Sequence, residues 1–410
     1  MQTKSICILG RQPELGLAEL ESLFGPEKVH LISNEAALLD VDPCVVPFAR
    51  LGGSIKLAKL LTVLDTTQWS ELEKFGLETI PGHVQNVPEG KFKLGISAYT
   101  LNVSPKRINA TALSFKKAIK ATGRNVRIIP NNSKQLSSAQ VLHNQLTSST
   151  GWELLFIGAG TQTYLAQTIV VQNIDAYAAR DQVRPKRDAR VGMLPPKLAQ
   201  IIINLATGKL PPPKIQPETD GLCAPPDSGA NGQTVLDPFC GTGVILQESL
   251  LMGYNAYGTD LEPRMVEYSQ TNLDWLTANF KAPNYAVKTG DATNTNWPDG
   301  LEIIATETYL GRPFTAVPKP NILNEVISDV NTIHRKFLQN LARQTKKGVR
   351  MCIAMPAWKT PNGFKHLQVL DSLEEIGYTR ISFVHNTTNN LLYFRPDQIV
   401  ARELVVLIRK

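Results

Sequence analysis

The chain has no C-x-x-C pair, no histidine cluster and no apolar run approaching the roughly 18 residues of a membrane span. Its five cysteines (Cys7, Cys44, Cys223, Cys240, Cys352) lie far apart and are odd in number. A disulfide framework and a zinc finger are therefore not expected, and no metal site is assigned. Met1-Gln2-Thr3-Lys4 leads into only Ile6-Cys7-Ile8-Leu9, too short for a signal-peptide core. The expectation is a cytoplasmic protein with no membrane partner. No G-x-x-x-x-G-K-[ST] loop is present, which disfavours nucleoside-triphosphate chemistry. With 42% hydrophobic and 19% charged residues the chain can bury sizeable cores, and its 410 residues, at about 150 per domain, predict two or three of them.

A more local absence is that of acid. Between Glu89 and Glu153 there is no Asp or Glu, but there are ten bases: Lys91, Lys93, Lys106, Arg107, Lys116, Lys117, Lys120, Arg124, Arg127 and Lys134. More than the whole formal excess of +7 sits in this stretch. A basic module on an otherwise near-neutral chain is the footprint of a polyanion partner. Ile108, Ala112, Phe115 and Ile119 recur at helical spacing, so one stripe packs inward. Lys117, Lys120 and Arg124 fall at i, i+3, i+7 on another face, with Lys116 one turn from Lys120. Lys106, Arg107, Lys116, Lys117, Lys120 and Arg124 are the candidate RNA contacts, of the kind that position a phosphate backbone without reading sequence.

The N-terminal region alternates strands and helices in the style of small α+β units. SICILG reads as a strand, LGLAELESLFG as a helix ending at Gly25 and ALLDV as a strand. Further on, KFKLGISAYT and VRIIP read as strands on either side of the basic helix, SSAQVLHNQL as a helix, and WELLFIGAG and TYLAQTIVVQ as paired strands. A hydrophobic helix follows Met193-Leu194-Pro195-Pro196. Residues 208–232, with Pro211-Pro212-Pro213, Pro217 and Pro225-Pro226, read as a linker. Beyond Gly232 strands are predicted at 233–237, 255–260, 285–291, 302–307 and 349–355, and helices at 243–252, 263–279, 321–345 and 367–376. YTRISFVH, LLYFRPDQ and ARELVVLIRK read as closing strands. Repeated β–α–β units predict a doubly wound, mostly parallel sheet with ligands at its carboxyl edge.

The run Thr234-Val235-Leu236-Asp237-Pro238-Phe239-Cys240-Gly241-Thr242-Gly243 is a strand, a glycine turn and a helix start. Gly241 and Gly243 allow close approach of a ligand to the backbone. Asp237 ends the first strand, Asp260 the second and Asp291 the third. A carboxylate at the second position accepts from ribose hydroxyls, and one at the third suits an adenine amino group. Leu261 and Ala292 follow these acids and Pro238 follows Asp237, which completes the cofactor candidates.

This constellation resembles class I S-adenosylmethionine-dependent methyltransferases. Arg180-Asp181, Arg184-Pro185, Arg187-Asp188 and Gly192-Met193-Leu194-Pro195-Pro196-Lys197-Leu198-Ala199, followed by DPFCGTG, resemble more narrowly the THUMP-containing tRNA guanine-N2 methyltransferases. Val170-Val171-Gln172-Asn173-Ile174-Asp175-Ala176-Tyr177 resembles the end of a THUMP domain. The resemblance implies a ferredoxin-like unit at 1–85, a THUMP-like RNA-binding domain at 86–176 and a Rossmann-like methyltransferase domain with a closing antiparallel strand at 177–410. It also implies S-adenosyl-L-methionine as cofactor and tRNA or another structured RNA as partner. An activator subunit stays open.

The family's catalytic block, Asp/Asn-Pro-Pro-Tyr/Phe after the fourth strand, is where this chain departs. Leu301-Glu302-Ile303-Ile304-Ala305-Thr306 runs into Glu307-Thr308-Tyr309-Leu310-Gly311-Arg312. Both prolines are absent, the acid is one methylene longer, and the aromatic comes one residue early. Glu307 is expected to accept from the exocyclic amine and Tyr309 to stack on the base. Two other readings stay open: a catalytically weak or inactive RNA-binding protein, and a DNA amino-methyltransferase.

Overall fold

The computed structural model describes residues 3–188, 193–211, 232–280, 282–314, 318–387, 391–396 and 398–410. Most of the expected 208–232 linker, together with Gly192, lies outside them.

The N-terminal part forms β1 (Ser5–Leu9), α1 (Pro13–Phe24), β2 (Val29–Ser33), β3 (Ala36–Leu39), β4 (Ser54–Leu64) and α2 (Trp69–Val84). It continues with β5 (Phe92–Tyr99), α3 (Pro105–Ala121), β6 (Val126–Ile128), α4 (Ser138–His143), β7 (Gly151–Ala159) and β8 (Gln162–Val171). The strands make one mixed sheet in the order β2-β3-β1-β4-β8-β7-β5-β6. This sheet runs unbroken across the boundary expected between 1–85 and 86–176, because β4 pairs with β8 from Lys56↔Val171 to Leu64↔Thr163. The helix α2 also crosses that boundary: its Trp69, Leu72, Ile80 and Val84 share a core with Phe92, Ile108, Phe115 and Phe156. Ser104 caps α3 by accepting from the Arg107 N–H, and Pro105 occupies the first turn, where a missing N–H costs nothing. Its buried stripe is the one expected: Ile108, Ala112, Phe115 and Ile119.

After β8 come α5 (Ile174–Ala178) and α6 (Pro196–Thr207), then β9 (Thr234–Asp237), α7 (Val244–Leu251), β10 (Asn255–Asp260), α8 (Pro263–Asn279), β11 (Tyr285–Thr289) and β12 (Ile303–Glu307). The chain ends with α9 (Pro320–Gln344), β13 (Arg350–Thr360), β14 (Gly363–Lys365), α10 (Leu373–Ile376), β15 (Tyr378–Arg380), β16 (Leu392–Tyr393) and β17 (Val400–Arg409). The second sheet has the order β11-β10-β9-β12-β13-β17-β15. β9 to β13 are parallel, and β17 is antiparallel to β13. The order reverses between β9 and β12, which opens a crevice at their carboxyl ends, the usual ligand position in such sheets. β11 stops at Thr289, so Asp291 lies two residues past its strand. YTRISFVH and LLYFRPDQ pair over only 378–380 and 392–393, because 381–387 turns away to meet α1 instead. There the N–H groups of Val384 and His385 donate to Glu21, and the Asn386 amide donates to the Glu14 carbonyl.

Helix α6 joins the two parts. It is buried on nearly every side, against Leu15 and Ala18 of α1 and against Val235, Ala305 and Ala354 of the second sheet. Asn204 in its last turn donates to Glu19 Oε1 at 2.7 Å and to the Arg50 carbonyl at 2.9 Å. Arg50 donates in turn to Asn204 Oδ1 at 2.8 Å and to the Tyr254 hydroxyl at 3.0 Å. A fully satisfied polar network at this depth fixes one seating of the two parts.

Candidate active site

The glycine turn brings three carboxylates to one edge. Asp237, buried at the end of β9, accepts from the Thr306 hydroxyl at 2.6 Å and from the Phe239 N–H at 3.2 Å. Burial pushes its carboxyl up to about 8, and the neighbouring charges of Asp260 and Glu307 add to that against the two donors. Asp260 Oδ2 accepts from the Gly241 N–H at 2.9 Å and Oδ1 from the Glu262 N–H at 3.0 Å. Its carboxyl is also raised, by burial. Asp291 caps its own turn by accepting from the Thr293 N–H and hydroxyl at 2.9 and 2.8 Å, and the Gly290 N–H donates to the Asp260 carbonyl. The ends of β10 and β11 are thus tied together. Leu261 is exposed beside Asp260, while Ala292 and Pro238 are buried.

The two glycines differ. Both have left-handed φ, +50° at Gly241 and +83° at Gly243. A Cβ on Gly241 would enter open space, whereas one on Gly243 would come 2.9 Å from the Ser269 hydroxyl of α8. The turn is therefore open at Gly241, and Gly243 lets α8 pack on it. We expect Gly243→Ala to cost about 2 kcal/mol in urea unfolding and Gly241→Ala only about 1 kcal/mol, since only the first adds a collision to the backbone strain. Cys240 is a packing residue: its buried thiol lies 3.7 Å from the Ser269 hydroxyl, and burial holds it protonated.

Glu307 ends β12 and lies next to Asp237, though its carboxylate is not free. Oε1 accepts from Nε of Arg402, a residue of β17 that is itself buried. Burial raises the Glu307 carboxyl, and the Arg402 charge opposes that rise. Thr308 is pinned inward, with its hydroxyl 2.6 Å from Nε2 of the fully buried His334. Burial lowers His334 to about 4, so the ring is neutral. That anchoring turns the next side chain outward, and Tyr309 is 46% exposed, a free ring beside the acid. The sequence reading missed Arg402. Its one signal is a charged pair, Arg402-Glu403, within a strand that is otherwise apolar up to Ile408.

The basic module is only partly free. Lys106, Lys117 and Lys120 are exposed and Lys116 is half-buried. Arg107 pairs with Glu73 of α2. Arg124 lies beyond the end of α3, and its guanidinium donates to the carbonyls of Val87 and Pro88. The i, i+3, i+7 stripe thus reduces to Lys117 and Lys120. Arg107 also lines an open cleft of about 650 Å³ with Gln68, Thr100 and Asn102.

A family model described as DNA methylase matches residues 113–271. The tRNA (guanine(10)-N2)-dimethyltransferase of Pyrococcus abyssi is 26% identical over 207 residues, 49% of this chain and 49% of that enzyme. The enzyme of the same name from Methanothermobacter thermautotrophicus is 27% identical over 165 residues, 40% and 39% of the two chains. The chain is a distant homologue of these enzymes. The match spans about half their length or less. TrmN from Thermus thermophilus superposes over 100% of both chains with a TM-score of 0.50 at 14% identity, which establishes a shared fold. Among the described residues no helix is long and apolar enough to cross a membrane.

Proposed function

We propose that the chain is an S-adenosylmethionine-dependent methyltransferase acting on the exocyclic N2 amine of a guanosine in tRNA. The observation that carries this reading is the juxtaposition, at the switch point of the second sheet, of a glycine turn, acids at or just past three strand ends and the Glu307–Tyr309 pair. The residues present fit the cofactor. Gly241 leaves its ligand side open, Asp260 has the acceptor chemistry for ribose hydroxyls, and exposed Leu261 supplies apolar surface for adenine.

Bound there, S-adenosylmethionine supplies a methyl group made electrophilic by a sulfonium. The guanine amine is a weak nucleophile because its lone pair is delocalised into the ring. Glu307 would accept from its N–H, aim the lone pair at the donated methyl group, and take up the amine proton as the methyl passes from sulfur, left as a neutral thioether, to nitrogen. Its raised carboxyl suits that last role. Arg402 holds Glu307 in place, and Tyr309 stacks on the base. Positioning and electrostatics do most of the work. The target must leave its stack to reach this edge. Lys106, Lys117 and Lys120 contact the phosphates of a structured RNA on the other part of the molecule.

The test is incubation of the full chain with labelled S-adenosylmethionine and unmodified tRNA, followed by nucleoside mass spectrometry. N2-methylguanosine is the expected product. Label in DNA adenine or cytosine would replace the reading with a DNA amino-methyltransferase. Cofactor binding with no label in any nucleic acid would replace it with a non-catalytic RNA-binding protein.

A further inference from the structure

Between β8 and α6 the chain passes beside the glycine turn and the start of α8. The Lys186 N–H donates to the Asn272 side chain of α8 at 2.8 Å, and the Asn272 amide donates back to the Lys186 carbonyl and to the Thr242 carbonyl of the glycine turn, at 3.0 and 2.8 Å. Asp188 pairs with Arg264, the second residue of α8, at 3.1 Å. This segment is therefore clamped onto the turn and onto the helix that follows Asp260.

Arg184 lies within it, just after a π-helical turn at Ala179–Val183, and is 3% exposed. Its Nε and Nη2 have no hydrogen-bond partner among the described residues. Buried donors are almost always paired, and a buried guanidinium with idle donors is costly. The nearest buried acid, Glu248, already has other partners: Arg180 Nε at 3.1 Å and the Gln200 and Gln247 amides at 3.0 and 3.2 Å. The identity of the two idle nitrogens matters. Nε and Nη2 point the same way and form the side-on fork of a guanidinium, which matches the two oxygens of a single oxyanion.

We propose that this fork binds the α-carboxylate at the amino-acid end of the cofactor. The inference rests on the cofactor reading above. The edge of the sheet is acidic, with Asp237, Asp260 and Glu307, so a ligand carboxylate needs a cation set apart from them. Three arginines docked around the turn are committed, Arg402 to Glu307, Arg180 to Glu248 and Arg264 to Asp188, while Lys186 lies over the Tyr268 ring and exposed Arg187 donates to Met193 Sδ. Arg184 alone of these presents an unpaired fork.

Calorimetry on the full chain with S-adenosylmethionine and with decarboxylated S-adenosylmethionine, which lacks only the carboxylate, separates the cases. The unsubstituted chain should prefer the intact cofactor by roughly 10- to 100-fold, the scale of a charge-assisted pair. Arg184→Gln should abolish that preference by weakening the intact cofactor alone, and Arg184→Lys, which keeps the charge without the fork, should restore only part of it. If Arg184→Gln weakened both ligands equally, the residue would be structural and the proposal lost. If the preference survived while the salt dependence of tRNA affinity lost about one phosphate contact, the fork would hold an RNA phosphate instead. If the unsubstituted chain bound neither cofactor form, the cofactor reading itself would fall, and this inference with it.

Discussion

Glu307→Ala is expected to lower methyl transfer about 10³-fold and to leave S-adenosylmethionine affinity within about twofold. The separation follows from position. Glu307 ends β12, whereas the groups assigned to the cofactor end β9 and β10 and follow β11, so truncating one side chain removes the acceptor without disturbing the groove. The change also releases Arg402 from its partner, and a guanidinium in place of the acceptor cannot activate the amine. Arg402→Met probes the same pair from the other side. Burial already raises the Glu307 carboxyl, and Arg402 is what opposes the rise. Without it the carboxyl stays protonated to higher pH and cannot accept from the amine. The rate should therefore fall, and the acidic limb of kcat against pH should move upward. Single-turnover rates between pH 5 and 9 read both effects. Unchanged turnover in Glu307→Ala would end the catalytic assignment, and an unmoved acidic limb in Arg402→Met would remove Arg402 from the mechanism.

The parallel strands and long helices of the second sheet were legible, its closing strands only in part. Its strands are short apolar runs between glycines, prolines and polar turns, and its helices start at Pro263 and Pro320, where proline fits a first turn. The acid-tipped edge was legible too, because strand ends and loop chemistry are local. The miss in the N-terminal sheet has a different cause. β4 reads SIKLAKLLTVL, with two lysines among apolar residues, and the sequence cannot say that Lys56 turns inward while Lys59 turns out. α2 contains Gly76 and Pro81, which weaken any helical reading. Gly76 is there because Phe115 of α3 presses against it: a Cβ would come 2.4 Å from that ring. Such residues answer to partners distant in sequence. Arg402 is the same case at the site, 95 residues from the carboxylate it holds. The basic stretch was read correctly as composition and only partly as surface, since Glu73 and the carbonyls before Glu89 engage two of its arginines.

Glu153, the acid that closes the acid-free stretch, gives the largest expected effect on stability. It is fully buried and gathers four strands. Lys56 of β4 donates to Oε1, as does the Ser97 hydroxyl of β5 at 2.6 Å, and the Thr168 hydroxyl of β8 donates to Oε2 at 2.7 Å. Lys56 itself is 1% exposed and donates also to the Leu136 carbonyl at 2.8 Å. Glu153→Ala leaves an ammonium and two hydroxyls buried without their acceptor, so the expected loss is about 3–5 kcal/mol in urea unfolding of the N-terminal part. Burial already lowers the Lys56 pKa against the pull of Glu153, and removing that carboxylate should lower it further. The cost should accordingly shrink as pH rises, because an unfolded chain then has less protonation to lose. Replacing both partners with apolar residues, as in Lys56→Met with Glu153→Leu, should recover most of the loss, since the pair's desolvation offsets much of its attraction. If the single substitution cost under about 1 kcal/mol, water would have to reach Lys56, and this sheet would not be sealed as its burial indicates.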